Sequence, residues 1–385
     1  MRRMLGWALL LAATGAQAQT PTMAERMAAF PRDRSVEAVE AYVPAQTVRG
    51  GAVRTLARAG PGNAGISDAA LVEAQALAEK GGAHALIIAR NGKVVLERYW
   101  NGFGAGSRFS TASMHKTVLA LAYGRAVQQR RIALADPLAR LLPEWKADAR
   151  GGVQIGQLLE MTSGLAFPPS PPGPGAPSAR LFFADDIRAV ALAVPQDAPP
   201  GSRFAYSNID SQLAGEALAS AVGGNYARWL SRELWAPLGA ADASLFMDRV
   251  GGSPHYFCCL QARARDWLLV GELLREGGKL GKRQLVPADW IATMTAPSTL
   301  NPNFGKQIWR GSPHAPLRRY SASISMTIPA AEPFLADDVL FIDGAGAQRV
   351  YAIPSKGLTI VRIGRPDSGW DDSRLPNIIL RGLAG

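Results

Sequence analysis

Ser113 and Lys116 are the two residues of this 385-residue chain whose types and spacing best fit covalent chemistry. They lie in the stretch STASMHKTVL at 110–119, and an apolar run follows. Ser110 or Thr111 can cap a helix here, which would put Ser113 in the first turn with Lys116 on the same face. A serine hydroxyl becomes a nucleophile when an adjacent base accepts its proton. The spacing therefore predicts that Lys116 is part of the base that activates Ser113.

Lys116 can accept a proton only if its amine is partly neutral. The ordinary pKa of a lysine is about 10.4, so burial or cationic neighbours must lower it. The predicted helix at 118–127 carries no carboxylate that would hold the ammonium charged. The same helix start leaves the backbone N–H of Ser113 free to bind an oxyanion. A Ser-x-x-Lys pattern alone also arises by chance, so further motifs are needed.

The segment FAYSN at 204–208 is a second candidate. A phenol whose pKa is lowered from about 10 by a nearby lysine could relay the serine proton, which is the role predicted for Tyr206. The side chain of Asn208 can both donate and accept hydrogen bonds. The alternative is a core tyrosine followed by an asparagine that caps a helix beginning near Ser211.

The segment DGAGAQ at 343–348 is a third candidate, and it leads into a predicted strand at 349–353. Gly344 and Gly346 let the backbone approach a ligand closely. Ala345 could then offer its N–H as a second oxyanion donor. The alternative is a flexible connection between strands.

Composition and the N-terminus indicate an exported protein. Two arginines, an apolar run at 5–13 and the small-x-small pattern at 16–18 predict a signal peptide at 1–18 and a periplasmic or secreted location. No later apolar run reaches the length of roughly 20 residues that is needed to cross a bilayer, so no stable membrane insertion is expected. The net charge is +11, but the basic residues are scattered, which argues against nucleic-acid binding.

The only cysteines, Cys258 and Cys259, are neighbours in the sequence. Adjacent Cα atoms lie about 3.8 Å apart, below the usual disulfide range, so two reduced and buried side chains are favoured, and a strained vicinal bridge is the alternative that stays open. The four histidines show no HxH or HExxH spacing. Neither a metal site nor a cofactor is therefore predicted.

The pattern of elements predicts an α+β fold. A capped helix is expected at 67–80. A hairpin follows, with strands at 85–89 and 94–100 joined by a turn at Asn91-Gly92. Near the C-terminus, strands are expected at 339–342, 349–353 and 358–363, followed by a closing helix at 375–383. Predicted helices fill the middle of the chain, at 118–127, 155–161, 211–221, 226–235 and 262–274. Both chain ends would thus form one antiparallel sheet flanked by helices, with a mostly helical region inserted.

This reading divides the chain into a signal peptide at 1–18, an N-terminal extension at 19–65 and a single domain at 66–385. Within that domain, 66–135 and 335–385 form the sheet region and 136–334 the mostly helical region, which includes a Pro/Gly-rich loop at 168–177.

Together the three motifs resemble the serine β-lactamase and penicillin-binding-protein superfamily, of which Ser-x-x-Lys is a signature. The chain resembles most the class C-type branch, whose middle element is Tyr-x-Asn and which contains esterases, D-amino-acid peptidases and 6-aminohexanoate-dimer hydrolases. The resemblance covers about 67–385. Supporting stretches are LADP at 134–137, QLLEMTSGL at 157–165, PLG at 237–239 and ARDW at 264–267.

The resemblance implies a β-lactamase/transpeptidase-like fold and an acyl-enzyme on Ser113. Lys116 and Tyr206 would form the proton relay, Asn208 would position the substrate, and Ser113 and Ala345 would supply the oxyanion N–H groups. The expected reaction is hydrolysis of a small-molecule ester or amide, without a cofactor. The natural substrate and the oligomeric state stay open.

One departure from the superfamily pattern concerns the third motif, where Lys-Thr-Gly is replaced by Ile-Asp-Gly at 342–344. The missing lysine usually helps to hold a substrate carboxylate, so efficient β-lactam or peptidoglycan hydrolysis is doubtful. Arg349 is close enough in sequence to substitute for it. Trp309 and the pair Phe182-Phe183 could line the pocket, or each could belong to the core.

Three other readings compete. An α/β-hydrolase is disfavoured because the chain contains no Gly-x-Ser-x-Gly. A β-lactamase or D-peptidase acting on cell-wall-like substrates would use the same motifs. A non-catalytic binding protein of the cell envelope could keep this fold, since fold does not fix function.

Overall fold

The computed structural model of the protein describes residues 21–31, 36–166, 176–321 and 324–383. The predicted signal peptide at 1–18 and most of the predicted loop at 168–177 lie outside these ranges.

Strands occur near both ends and in the middle of the described chain. They are β1 Ala45–Val48, β2 Ala83–Arg90, β3 Lys93–Tyr99, β4 Arg108–Ser110, β5 Ala243–Phe246, β6 Leu260–Arg263, β7 Lys279–Leu280, β8 Arg283–Gln284, β9 Trp309–Arg310, β10 Leu317–Ser321, β11 Ile324–Pro329, β12 Leu340–Gly344, β13 Gln348–Ile353 and β14 Leu358–Gly364.

The helices are mostly short, and those of the middle region surround the longer α3 and α7. They are α1 Met23–Ala29, α2 Asp68–Lys80, α3 His115–Gln128, α4 Ile155–Leu159, α5 Pro177–Phe183, α6 Ile187–Leu192, α7 Asn208–Ala221, α8 Tyr226–Leu230, α9 Ala236–Leu238, α10 Ala264–Arg275, α11 Ala288–Thr295 and α12 Arg374–Arg381.

One antiparallel sheet of six strands, in the order β3-β2-β14-β13-β12-β9, joins both ends of the chain and confirms the predicted α+β fold. The predicted hairpin is present, and Asn91 and Gly92 have φ values of 51° and 74°, as a type I′ turn requires. Alternate residues of β2 enter two different cores: Ile87 packs with the helical region and Ile88 packs with α2 and α12. The sheet is therefore covered by helices on both faces.

A second sheet, in the order β1-β5-β6-β4, was not predicted. Its strands have only three or four residues each, too few for an alternating apolar pattern to stand out in the sequence. Two of them, β5 and β6, lie inside the region predicted to be mostly helical. The division into sheet and helical regions stays a prediction.

Helix α3 runs through the core and carries Lys116 near its start. A 3₁₀ turn, Ala112–Met114, precedes it and holds Ser113. Thr111 begins this turn, but its side chain makes no capping hydrogen bond, so the predicted cap at Ser110 or Thr111 is absent. Burial of nearly all of α3 replaces the cap as the source of stability, because tertiary packing supplies most helical stability in proteins.

Candidate active site

Ser113 and Lys116 lie together at the start of α3, as their spacing predicts. The amine Nζ of Lys116 is 3.0 Å from the hydroxyl Oγ of Ser113. Two further oxygens hold the amine: the Oδ1 of Asn208 at 2.8 Å and the carbonyl oxygen of Phe257 at 2.5 Å. The Lys116 side chain is thus fixed by three partners that come from three separate parts of the chain.

Burial sets the protonation state of this lysine. Lys116 is only 2% exposed, and desolvation lowers its pKa well below the ordinary value, although the carboxylate of Asp343 opposes part of the shift. A neutral amine has two N–H groups and one lone pair. In this neutral form the oxygens of Asn208 and Phe257, which can only accept, would take both N–H groups and leave the lone pair for the hydroxyl of Ser113.

Tyr206 reaches the same point from the turn that precedes α7. Its ring centroid lies 5.1 Å from the Lys116 amine, and its phenol hydrogen-bonds the Ser113 hydroxyl. The predicted lowering of its pKa is wrong: burial, and then the charge of Asp343, raise the pKa of Tyr206 well above 10, and the hydrogen bond to Ser113 only partly opposes this. Tyr206 is therefore a neutral phenol that can donate a proton.

Asn208 is the first residue of α7, but it is not the cap. Ser207 caps the helix, and its hydroxyl accepts hydrogen bonds from the N–H groups of Ile209 and Asp210. The side chain of Asn208 is left free to bind the Lys116 amine and to face the cavity next to Ser113.

The third motif ends strand β12 and forms the turn to β13. Gly344 lies so close to the Ser113 segment that a Cβ atom there would be 2.3 Å from the carbonyl oxygen of Thr111. This close approach places Ala345 and Gly346 on the cavity wall. Gly344 does not line the cavity itself. Its role is to let the β12–β13 turn come close to the backbone at Thr111.

Asp343 belongs to a buried ion cluster that the motif did not reveal. The cluster consists of Arg318, Asp343, Arg349 and Asp372, and both arginines bind both carboxylates. Although burial alone would raise it, the two arginines hold the pKa of Asp343 below its ordinary value. The hydroxyl of Tyr320 also donates to Asp343 at 2.6 Å.

This cluster excludes the substitute role considered for Arg349. The Arg349 side chain is 1% exposed and is neutralised by Asp343 and Asp372. It is not among the residues that line the cavity beside Ser113. Trp309, predicted to contact substrate, lies behind Tyr206 instead, with the two ring centroids 5.8 Å apart. It is buried in the core on the α2 side of the sheet.

A cavity of about 320 Å³, called here the Ser113 cavity, opens beside the nucleophile. The described residues of its wall are mostly apolar and include no Asp, Glu, Lys or Arg. The lining residues, mostly aromatic or small, come from seven parts of the chain: Phe30, Val36, Tyr42, Ser110, Ala112, Ser113, Phe182, Asn208, Phe257, Cys258, Cys259, Ala345, Gly346 and Pro366.

Of the predicted aromatic pair, Phe182 lines the Ser113 cavity and Phe183 does not. The contribution of Phe30, Val36 and Tyr42 was missed, because nothing in the pattern of the N-terminal extension singles them out. They could be located only through their contacts in three dimensions.

Of the two alternatives left open for the cysteines, the favoured reduced pair is wrong and the vicinal bridge is present. Cys258 and Cys259 form a disulfide with their Cα atoms 3.7 Å apart. The backbone turns sharply here, with Cys259 at φ 70°, and this brings the two sulfur atoms to the same side. The N–H of Cys259 donates to the carbonyl of Ala112 at 3.0 Å, so the bridge lies against the turn that carries Ser113.

Among the residues with described positions, no group of three or more His, Cys, Asp and Glu side chains could hold a metal ion. Within the same part of the chain, no helix is long and apolar enough to cross a membrane.

The chain is similar in sequence to the 6-aminohexanoate-dimer hydrolase of Paenarthrobacter ureafaciens, with 23% identity over 55% of this chain and 57% of that protein, so the match spans little more than half of the relative. Its structure is similar to that of a candidate 6-aminohexanoate-dimer hydrolase from Bacillus anthracis, with a TM-score of 0.73, 18% identity and coverage of 91% and 92% of the two chains. EstCE1, a hydrolase with promiscuous acyltransferase activity, aligns with a TM-score of 0.62 and 19% identity over 82% of this chain and 99% of its own.

A family model described as Beta-lactamase matches residues 69–362, which include Ser113, Lys116, Tyr206 and the turn at Ala345. The chain therefore belongs to the Beta-lactamase family.

Proposed function

We propose that this protein is a serine hydrolase that cleaves a small ester or amide through an acyl-enzyme on Ser113. The observation that carries the proposal is the 3.0 Å contact between the Ser113 hydroxyl and a buried lysine amine whose pKa is lowered. A general base needs both this reach and a neutral form at working pH. The similarity to 6-aminohexanoate-dimer hydrolases and to EstCE1, which is also a hydrolase, supports the same conclusion.

In the first step the lone pair of Lys116 accepts the Ser113 proton while Oγ attacks the substrate carbonyl carbon. The resulting oxyanion is stabilised by the backbone N–H groups of Ser113 and Ala345, which both belong to the wall of the Ser113 cavity. The neutral phenol of Tyr206 gives its proton to the leaving group and is reprotonated from Lys116. Water then releases the acyl group by the reverse proton transfers.

The charge of the cavity favours neutral substrates over β-lactams. Its described lining residues include no cationic side chain, and Arg318 and Arg349 are already neutralised by Asp343 and Asp372. A substrate carboxylate would therefore lose water without gaining a partner. We propose an uncharged ester or amide as substrate and, from the pattern at 1–18, an exported protein in the periplasm or medium.

The test compares hydrolysis of p-nitrophenyl butyrate with hydrolysis of nitrocefin. We expect a measurable ester rate that exceeds the nitrocefin rate and is abolished in Ser113→Ala. Ser220→Ala, which changes an exposed serine on α7, is the matched control and should keep the wild-type rate. A nitrocefin rate above the ester rate would overturn the substrate proposal, and full activity in Ser113→Ala would overturn the mechanism.

A further inference from the structure

The N-terminal segment of the described chain forms part of the Ser113 cavity. Phe30, Val36 and Tyr42 all line it. They precede residue 69, where the match to the family model begins, so this wall is an addition to the matched part of the chain.

The segment is fixed to the body of the protein. Helix α1 begins with a capping box between Thr22 and Glu25, and Arg26 donates to the carbonyl oxygen of Ala184 at 3.2 Å. The carbonyl oxygen of Val36 accepts from the N–H of Ser110 at 2.8 Å. Strand β1 then pairs with β5. The wall is therefore a built part of the fold.

Aromatic contacts close the wall over the cavity. The ring of Phe30 packs edge-on against Tyr42 and Phe182, with centroid distances of 4.9 and 5.1 Å. The ring centroid of Phe182 lies 6.4 Å from that of Phe257, and the carbonyl oxygen of Phe257 accepts a hydrogen bond from the Lys116 amine. The aromatic wall thus leads directly to the reacting groups.

The position of the cavity relative to Tyr206 identifies which part of a substrate it would hold. The cavity is lined by Ser113 and Ala345, whose N–H groups face the oxyanion, but Tyr206 is not part of its wall. Tyr206 protonates the leaving group in the proposed mechanism. The cavity therefore lies on the acyl side of the scissile bond.

We infer that Phe30, Val36 and Tyr42, together with Phe182 and Phe257, form an acyl pocket for an uncharged aliphatic chain, and that Phe30, Val36 and Tyr42 set the longest chain accepted. This inference rests on the proposed function, because it assigns the acyl side of the same Ser113 site. The volume of about 320 Å³ and the uncharged side chains of the described wall residues match such a chain.

The experiment measures kcat/KM of the full chain on p-nitrophenyl acetate, butyrate, hexanoate, octanoate and decanoate. We expect a rise of about fourfold for each added methylene, equivalent to about 0.8 kcal/mol, until the pocket is full. A second series of acetates with alcohols of increasing length should show no such rise. A rise only in the alcohol series, or none in either, would overturn the inference.

Two variants change the pocket in opposite directions. Phe30→Trp fills it, and we expect the ratio of octanoate to acetate kcat/KM to fall at least tenfold. Phe30→Ala enlarges it and should move the optimum to a longer chain. Phe103→Ala, which removes a partly buried ring outside the cavity, is the matched control and should leave the ratio unchanged.

The outcomes separate the two proposals. If esters are hydrolysed and Ser113→Ala is inactive, but Phe30→Trp keeps the wild-type ratio, the acyl pocket is refuted and the serine mechanism stands. If no ester is hydrolysed and Ser113 reacts with no acylating probe, the proposed function itself fails.

Discussion

Replacing Lys116 by methionine removes the proposed base while keeping a side chain of similar length. The lone pair that faces the Ser113 hydroxyl at 3.0 Å is lost, and no other described side chain bonded to that hydroxyl can act as a neutral base at pH 7. General-base catalysis contributes about 10²- to 10⁴-fold, so kcat/KM should fall by that factor, equivalent to about 3–5 kcal/mol of transition-state stabilisation.

The same substitution should leave the protein folded. Asn208 and the carbonyl of Phe257 each lose a donor, which costs about 1–3 kcal/mol per group. The variant also avoids the desolvation cost of burying an amine, which offsets part of this loss of stability. We expect the free energy of unfolding to fall by no more than about 3 kcal/mol.

The assay is hydrolysis of p-nitrophenyl butyrate at pH 7, with urea unfolding followed by circular dichroism. Lys306→Met is the matched control, since Lys306 is also buried, at 8% exposed, but pairs with Glu160 and does not line the Ser113 cavity. Its activity should be close to that of the wild type. A folded Lys116→Met variant that retains more than a tenth of the wild-type kcat/KM would refute the role of the lysine.

Three further predictions follow from the structure. Because burial favours the neutral amine, kcat/KM should rise with pH through a midpoint well below 10.5, the ordinary pKa of Lys116; an acid limb centred near 10.5 would contradict this. Burial raises the pKa of Asp210 to about 7, so its contribution to stability is complete below about pH 4 and is lost as the pH rises through about 7. The Asp210→Asn variant can still accept the hydrogen bond from Ser163. Between pH 5 and pH 8 its free energy of unfolding, measured by urea titration, should fall by about 3 kcal/mol less than that of the wild type. An equal fall in both proteins would count against the raised pKa of Asp210. Gly344→Ala should lower kcat at least tenfold, because its Cβ would push the turn at 345–347 away from Thr111, and wild-type kcat in that variant would disprove the need for the close approach.

The parts of the fold that local sequence determines were predicted well. The hairpin at Asn91-Gly92 follows from two residues that tolerate positive φ, and the helix at 68–80 follows from the Ser67 cap and its apolar spacing. Ser113 and Lys116 were paired because they are three positions apart, about one helical turn. In each case the signal lies within a few residues.

The features that were missed depend on residues far apart in the chain. Arg318 meets Asp343 and Asp372 across 25 and 54 residues, so the motif at 342–344 could not show that its aspartate is neutralised. Phe30 and Tyr42 reach the Ser113 cavity from the N-terminal extension without any periodic pattern. The raised pKa of Tyr206 likewise follows from burial, which only the packed structure reveals.

The most direct test of the serine mechanism is covalent labelling with a fluorophosphonate, read by intact-protein mass spectrometry and peptide mapping. The account predicts one adduct per chain, on the peptide that contains Ser113, at a rate reduced at least a hundredfold in Lys116→Met and with no adduct in Ser113→Ala. An adduct on another residue that persists in Ser113→Ala, or no adduct on a folded chain, would contradict the central claim.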